Sequence, residues 1–193
     1  MSRRIGTIQL DGGTGKTAIS YAIAKDLGFF LISNDDSIIE QAYPNMAKIM
    51  KNPKIIDDVV YDFGGFVDSG VLDVIKSCDI VIVPCMDDLN SKMKAIKTIN
   101  QIINHSSNII VVATRLKNFK KDLKEVSDVI HEVYPSIDVY PLRETKIFKN
   151  SIEFGQSPLE LEAESKFVAT NQKNVLVEYK KILEVVKGAI DAK

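Results

Sequence analysis

A doubly wound α/β fold, with a mostly parallel sheet flanked by helices, is predicted by three features of this sequence. Short apolar runs rich in β-branched residues recur at residues 5–10, 29–33, 59–63, 80–83, 109–113 and 139–140. They are continuous rather than alternating, as expected of strands covered on both faces. Helical stretches separate them, near residues 16–27, 69–76, 91–103, 119–134 and 146–154. Strand, helix and strand in repeated succession imply right-handed crossovers.

Individual elements carry local signals. The helix from Ser91 has Met93, Ile96, Ile99 and Ile103 at three- and four-residue spacing, one helical face. Gly28 fits a C-terminal helix stop, and Asn118 fits an N-cap for the following long helix. The last helix, from about Lys173, sets Leu176, Tyr179, Leu183, Val186 and Ile190 on one stripe, with Lys180, Lys181 and Lys187 off it. A terminal helix packed on the sheet has this pattern, and so does a membrane-surface helix. No internal repeat, low-complexity tract or Pro/Gly-rich linker interrupts the chain, so residues 1–193 are expected to form a single domain.

Bulk properties narrow the function classes. Of 193 residues, 45% are hydrophobic and 26% charged, as in an ordinary globular protein. A net charge of −1 argues against a polyelectrolyte binder, so any nucleic-acid contact needs a local basic patch. Cys78 and Cys85 form no Cys-x-x-Cys pair and read as buried hydrophobes in a reducing compartment. Neither a secretory leader nor an apolar run of membrane-spanning length is found, and a cytoplasmic location is expected. His105 and His131 have no acidic or nucleophilic neighbour in sequence and read as structural.

The chemistry concentrates in Asp11-Gly12-Gly13-Thr14-Gly15-Lys16-Thr17, a glycine-rich turn between the first strand and the first helix. Glycines let successive backbone N–H groups curl around phosphate oxygens, and the helix N-terminus adds its positive dipole end. Lys16 would reach the β- and γ-phosphates and Thr17 would coordinate Mg²⁺. The strict pattern G-x-x-x-x-G-K-[ST] is missed at its first position, where Leu10 stands.

Two acidic sites support this cradle. The apolar run 59–63 contains Asp62 and leads into Gly64 and Gly65, placing a carboxylate where it helps organise Mg²⁺. The glycines bring backbone N–H groups toward a γ-phosphate. The letters Asp-Phe-Gly also occur in protein kinases, but the accompanying catalytic loop and lid are missing from this sequence. Ser33-Asn34-Asp35-Asp36 follows the second strand; its carboxylates suit either an ordered attacking water or an N-cap for the 38–41 turn.

Together these elements resemble the ParA/MinD family of P-loop ATPases, over most of the chain and nearest to its small plasmid-partition members. Gly12 to Thr17 looks like the family's Lys-Gly-Gly-x-Gly-Lys-Thr loop, followed by Ala18. Asp35 resembles the switch I aspartate and Asp62 the first residue of switch II. Ile80-Val81-Ile82-Val83-Pro84 looks like the strand and proline that come next. Thr114 and Arg115 fall where the family contacts the base. Residues 141–160, with Arg143, Phe154-Gly155 and Leu159-Glu160, resemble its closing segment.

The resemblance implies a P-loop NTPase fold, ATP/ADP and Mg²⁺ as ligands, and Lys16, Asp35 and Asp62 as catalytic residues. It also implies Thr17 and Asp62 at the metal, with Gly65, Thr114 and Arg115 around the nucleotide. Nucleotide-dependent self-association and a DNA-bound adaptor are the implied partners. In that family the loop opens with a lysine that reaches across a dimer to the partner's phosphates. This sequence has Asp11 there. A carboxylate ~4 Å from a phosphate charge costs on the order of 4 kcal/mol at an effective dielectric near 20. Asp11 is therefore expected to turn away, to bind a basic group on a partner, or to mark weak or absent hydrolysis.

Lys117, Lys120, Lys121 and Lys124 crowd the start of one helix, and Lys146, Lys149, Lys166 and Lys173 scatter later. Such runs are ordinarily solvated faces, with nonspecific DNA contact the alternative. Two other function classes are a non-catalytic nucleotide-dependent binding module and a metabolic P-loop enzyme. The latter needs a substrate-binding insertion, and no segment is long enough to supply one.

Overall fold

The computed structural model describes residues 3–65 and 69–192. Among them, seven strands form one sheet in the order β3-β2-β4-β1-β5-β6-β7, every neighbouring pair parallel. They are β1 (Arg4–Ile8), β2 (Phe30–Ser33), β3 (Ala47–Ile49), β4 (Val59–Phe63), β5 (Ile80–Cys85), β6 (Ile109–Leu116) and β7 (Val139–Arg143). The helices between and after them are α1 (Lys16–Leu27), α2 (Ile39–Ala42), α3 (Ser69–Ser77), α4 (Leu89–Ile102), α5 (Phe119–Val133), α6 (Ile147–Phe154), α7 (Pro158–Glu164), α8 (Lys166–Asn171) and α9 (Lys173–Asp191).

Strand side chains alternate between two buried layers, which explains the continuous apolar runs. Val60, Ile80, Ile82, Ile110 and Val112 face α1 and α9, whereas Tyr61, Phe63, Val81, Val83, Val111 and Ala113 face α3, α4 and α5. Leu176, Tyr179, Leu183, Val186 and Ile190 of α9 all lie in the first layer. The stripe of the last helix is thus spent on the sheet. Among the described residues no helix is long and apolar enough to cross a membrane.

Several boundaries differ from the sequence expectation. The first strand ends at Ile8, because Gln9 turns its amide to the Pro84 carbonyl at 3.0 Å and Leu10 donates its N–H to Thr98. Strands β5, β6 and β7 run further than their apolar cores, to Cys85, Leu116 and Arg143. Asn118 stands at the N-cap of α5 but makes no side-chain cap bond; Asp122 reaches back instead and accepts from the Lys117 and Asn118 N–H groups at 2.8 and 2.7 Å. Asp88 caps α4, starting it at Leu89, by accepting from Ser91 N–H. Gly28 does close α1, in the left-handed conformation at φ 68°.

Strand β1 sits between β4 and β5, with the chain leaving toward β2 on one side and toward β5 on the other. The carboxyl end of such a strand is the crevice where open α/β sheets bind ligands. The glycine-rich turn begins there.

Candidate nucleotide-binding site

The turn from Asp11 to Gly15 delivers the chain from β1 into α1. Gly13 and Gly15 adopt φ of 74° and 91°, a region that side chains disfavour, and an ideal Cβ on either would meet no atom within 4 Å. Backbone conformation, rather than crowding, requires glycine at both. Gly15 is the N-cap of α1 and offers no side-chain oxygen, so the first N–H groups of the helix remain available to an anion.

Behind the turn lies a buried carboxylate ringed by hydroxyls. Thr17 Oγ1 donates to Asp62 Oδ2 at 2.7 Å, and Ser33 Oγ and Ser20 Oγ lie 3.3 and 3.4 Å from its two oxygens. Asp62 is 1% exposed, and burial pushes its carboxyl above the usual range, opposed by the Thr17 hydrogen bond and the Lys16 charge. Lys16 shows the complementary effect. Burial lowers its ammonium below the ordinary lysine value, against the pull of Asp62, Asp35 and Asp11. Its Nζ donates to the Asp11 main-chain oxygen at 2.7 Å.

Asp35 stands exposed near this pair. Its N–H donates to Ser33 Oγ at 3.2 Å, and its carboxylate accepts from the Asp36 N–H rather than capping α2. A Cβ placed on Gly64 would stand 2.8 Å from Asp35 Cβ, so only glycine fits there. The Gly64 N–H itself donates to Asn34 Oδ1 at 2.6 Å.

In front of the turn is a cavity of about 430 Å³, within the range of small-molecule sites. Gly12 through Ala18, Asp35, Thr114 and Arg115 line it. Of the other residues singled out in the sequence, Asp62 lies behind Thr17, and Gly65 backs onto the Leu10 carbonyl. Thr114 donates its hydroxyl to the Thr14 carbonyl at 2.9 Å, tying the end of β6 to the turn. Arg115 has φ 56° at a bulge between β6 and β7, which turns its side chain outward to solvent.

The far wall was missed in the sequence. Leu142, Phe148 and Ile152 form an apolar surface, with Arg143, Thr145 and Lys149 at its rim. Arg143 is held by Glu178 of α9 and stacks over Phe119 at 4.2 Å. An amphipathic pattern in α6 was the available signal, but β6, β7 and α6 meet only in three dimensions.

The structure turns the Asp11 carboxylate aside. It accepts from Lys94 Nζ at 2.8 Å and Asn90 Nδ2 at 3.1 Å, both on α4 of the same chain. The remaining lysines are more ordinary: Lys121 faces Glu125 at 3.8 Å, Lys124 pairs with Asp128, and Lys149 faces Glu153 at 3.3 Å. The Cys85 thiol is fully buried and pushed up to about 12 by that burial, while His131 bonds the Ile137 carbonyl.

No family model and no curated protein matches the sequence. Solved structures do match its shape. Apo McdA of Cyanothece is 14% identical and superposes with a TM-score of 0.67 over 97% of this chain and 98% of that one. The septum site-determining protein MinD of Pyrococcus horikoshii, complexed with Mg-ADP, gives 14% identity and 0.67 over the same shares. A putative plasmid partition protein of Borrelia burgdorferi bound to AMPPNP gives 13% and 0.55 over 94% and 99%. With its parallel sheet, glycine-rich turn and flanking helices, the chain has the P-loop NTPase fold that the MinD, McdA and ParA-family ATPases share.

Proposed function

We propose that this chain is a ParA/MinD-type ATPase, acting as one nucleotide-binding domain that binds ATP with Mg²⁺ and hydrolyses it slowly. The observation that carries this reading is the Thr17 hydroxyl on the buried Asp62 carboxylate, beside Lys16 at the head of α1. A desolvated carboxylate whose hydrogen-bond partners are hydroxyls suits a hard, oxygen-seeking cation. Thr17 and Asp62 would hold Mg²⁺ together with triphosphate oxygens and water, since among the described residues no group of three His, Cys, Asp or Glu could hold a metal by itself. Mg²⁺ there supplies charge neutralisation to the phosphates.

The chain's own residues do the rest. N–H groups from Gly12 to Thr17 donate to phosphate oxygens, and Lys16 leaves the Asp11 carbonyl to meet the β- and γ-phosphates. Asp35 orients the attacking water from its seat on Gly64. The apolar wall of Leu142, Phe148 and Ile152 receives the base, with Thr114 and Arg115 at its edge. Gly65 serves the γ-phosphate through its N–H. The biological role that fits is partition or positioning of plasmid or cellular cargo, through nucleotide-dependent self-association and a DNA-bound adaptor.

A second reading, a non-catalytic nucleotide-dependent module, is favoured by the in-chain pairing of Asp11, which leaves no lysine at that position for a partner's phosphates. Sedimentation velocity with ADP, ATP and a nonhydrolysable ATP analogue, run beside single-turnover hydrolysis, separates the two. The ATPase reading expects a larger species with ATP or its analogue than with ADP, and a measurable turnover. Association without turnover selects the module; neither behaviour overturns the partition role.

A further inference from the structure

Asp11 brings a carboxylate to the start of the glycine-rich turn, and one face of α4 holds it aside. Asn90, Lys94 and Thr98 follow one another at four-residue spacing and so share a helical face. Asn90 and Lys94 donate to Asp11 Oδ1 at 3.1 and 2.8 Å. Thr98 accepts the Leu10 N–H at 3.2 Å and donates to Gln9 Oε1 at 2.8 Å. This stripe fastens residues 9–11 before the phosphate-facing glycines begin.

The charges explain why the fastening includes a lysine. The Asp11 side chain is 9% exposed, so its carboxylate has lost most of its water and needs an ion-pair partner. It also precedes a turn built to hold polyanions, where an uncompensated negative charge repels phosphate. The residue's main-chain oxygen holds Lys16 at 2.7 Å while its carboxylate holds Lys94, so one residue spans both ammonium groups.

We infer that Lys94, assisted by Asn90, is a positioning residue of the nucleotide site that neutralises Asp11 and makes a cradle opening with a carboxylate competent for polyphosphate. The inference rests on the nucleotide-binding reading above. It assigns α4 an electrostatic part in ligand binding, acting through Asp11 rather than on the ligand.

Equilibrium titrations with AMP, ADP and ATP, the last two with Mg²⁺, test it on the folded parent and on Lys94→Gln, Lys94→Arg, Asp11→Asn, Asp11→Asn/Lys94→Gln and Lys16→Ala. Lys94→Gln is expected to weaken ATP binding about tenfold or more, ADP less and AMP least, because the uncompensated carboxylate repels phosphate groups seated in the cradle, where MgATP carries more negative charge than MgADP and AMP lacks the β- and γ-phosphates. Lys94→Arg stays near the parent, and Asp11→Asn restores the affinity that Lys94→Gln loses. An equal loss for all three nucleotides, no loss with ATP, or a double variant as weak as Lys94→Gln overturns the inference. If Lys94→Gln does not fold, Asp11→Asn and the double variant decide it: equal ATP affinities support the claim, and a weaker double variant overturns it. A parent that binds no nucleotide, or binds ATP undiminished after Lys16→Ala, overturns the underlying reading as well. A parent that needs Lys16 but is indifferent to Lys94 overturns this inference alone.

Discussion

On the proposed reading Asp35 orients the attacking water, and its position depends on what Gly64 lacks. The missing Cβ leaves room for Asp35, since even a methyl group would stand 2.8 Å from Asp35 Cβ. Gly64→Ala is therefore expected to displace Asp35 while leaving the glycine-rich turn and Lys16 in place. Single-turnover hydrolysis should fall by about two orders of magnitude, the scale of a lost general base, while ATP affinity changes by less than about threefold. Asp35→Ala should reproduce the loss. Unchanged turnover in Gly64→Ala would remove Asp35 from the water-orienting role. The turn residues, Asp35 and Asp62 were readable because glycine, lysine and strand-end acids stand in a short, ordered spacing. Lys94 was not, since it lies 83 residues from Asp11 and nothing local in α4 marks it as a counter-ion.

At the scale of elements, the site is braced by α9, which crosses the sheet layer that supports α1. Tyr179 donates to Asp26 at 2.6 Å, fastening α9 to the last turn of α1, and Glu178 holds Arg143 at the end of β7. Burial pushes the Asp26 carboxyl above its ordinary value of 3.8, against the hydroxyls of Ser157 and Tyr179 that pull it down. The folded chain thus holds this proton more tightly than the unfolded one. The stability linked to it is complete below 3.8 and is lost as pH rises through the folded value. Asp26→Asn keeps an acceptor for Tyr179 and removes the charge. Thermal denaturation across pH should show the variant losing less stability than the parent as pH rises through the acid range, with an equal or higher Tm at neutral pH; parallel curves would contradict this. Elements differed in how plainly the sequence announced them. The central strands were legible because burial on both faces demands unbroken apolar runs. The edge strand β3 was not, having three residues with exposed Lys48 at its middle. Helix α7 did carry a signal, the capping box of Ser157 and Glu160 with Pro158 at its start.

For the whole molecule, the sheet order decides where ligand chemistry belongs. The chain builds outward from β1 to β2 and β3 on one side and, after β4, to β5, β6 and β7 on the other, and the crevice at the end of β1 receives the glycine-rich turn. The cavity then gains a polar floor from the turn and an apolar wall from β7 and α6. The floor was legible in the sequence, because its residues are contiguous. The wall was not, because it is assembled from residues over a hundred positions from the turn. The central claim is that this crevice binds ATP with Mg²⁺ through Lys16, and calorimetric titration of ATP into parent and Lys16→Ala, with Mg²⁺ and with a chelator, tests it directly. Saturable, Mg²⁺-strengthened binding by the parent and its loss in Lys16→Ala is the result expected. A folded Lys16→Ala variant that binds ATP as tightly as the parent would contradict the assignment of the cradle.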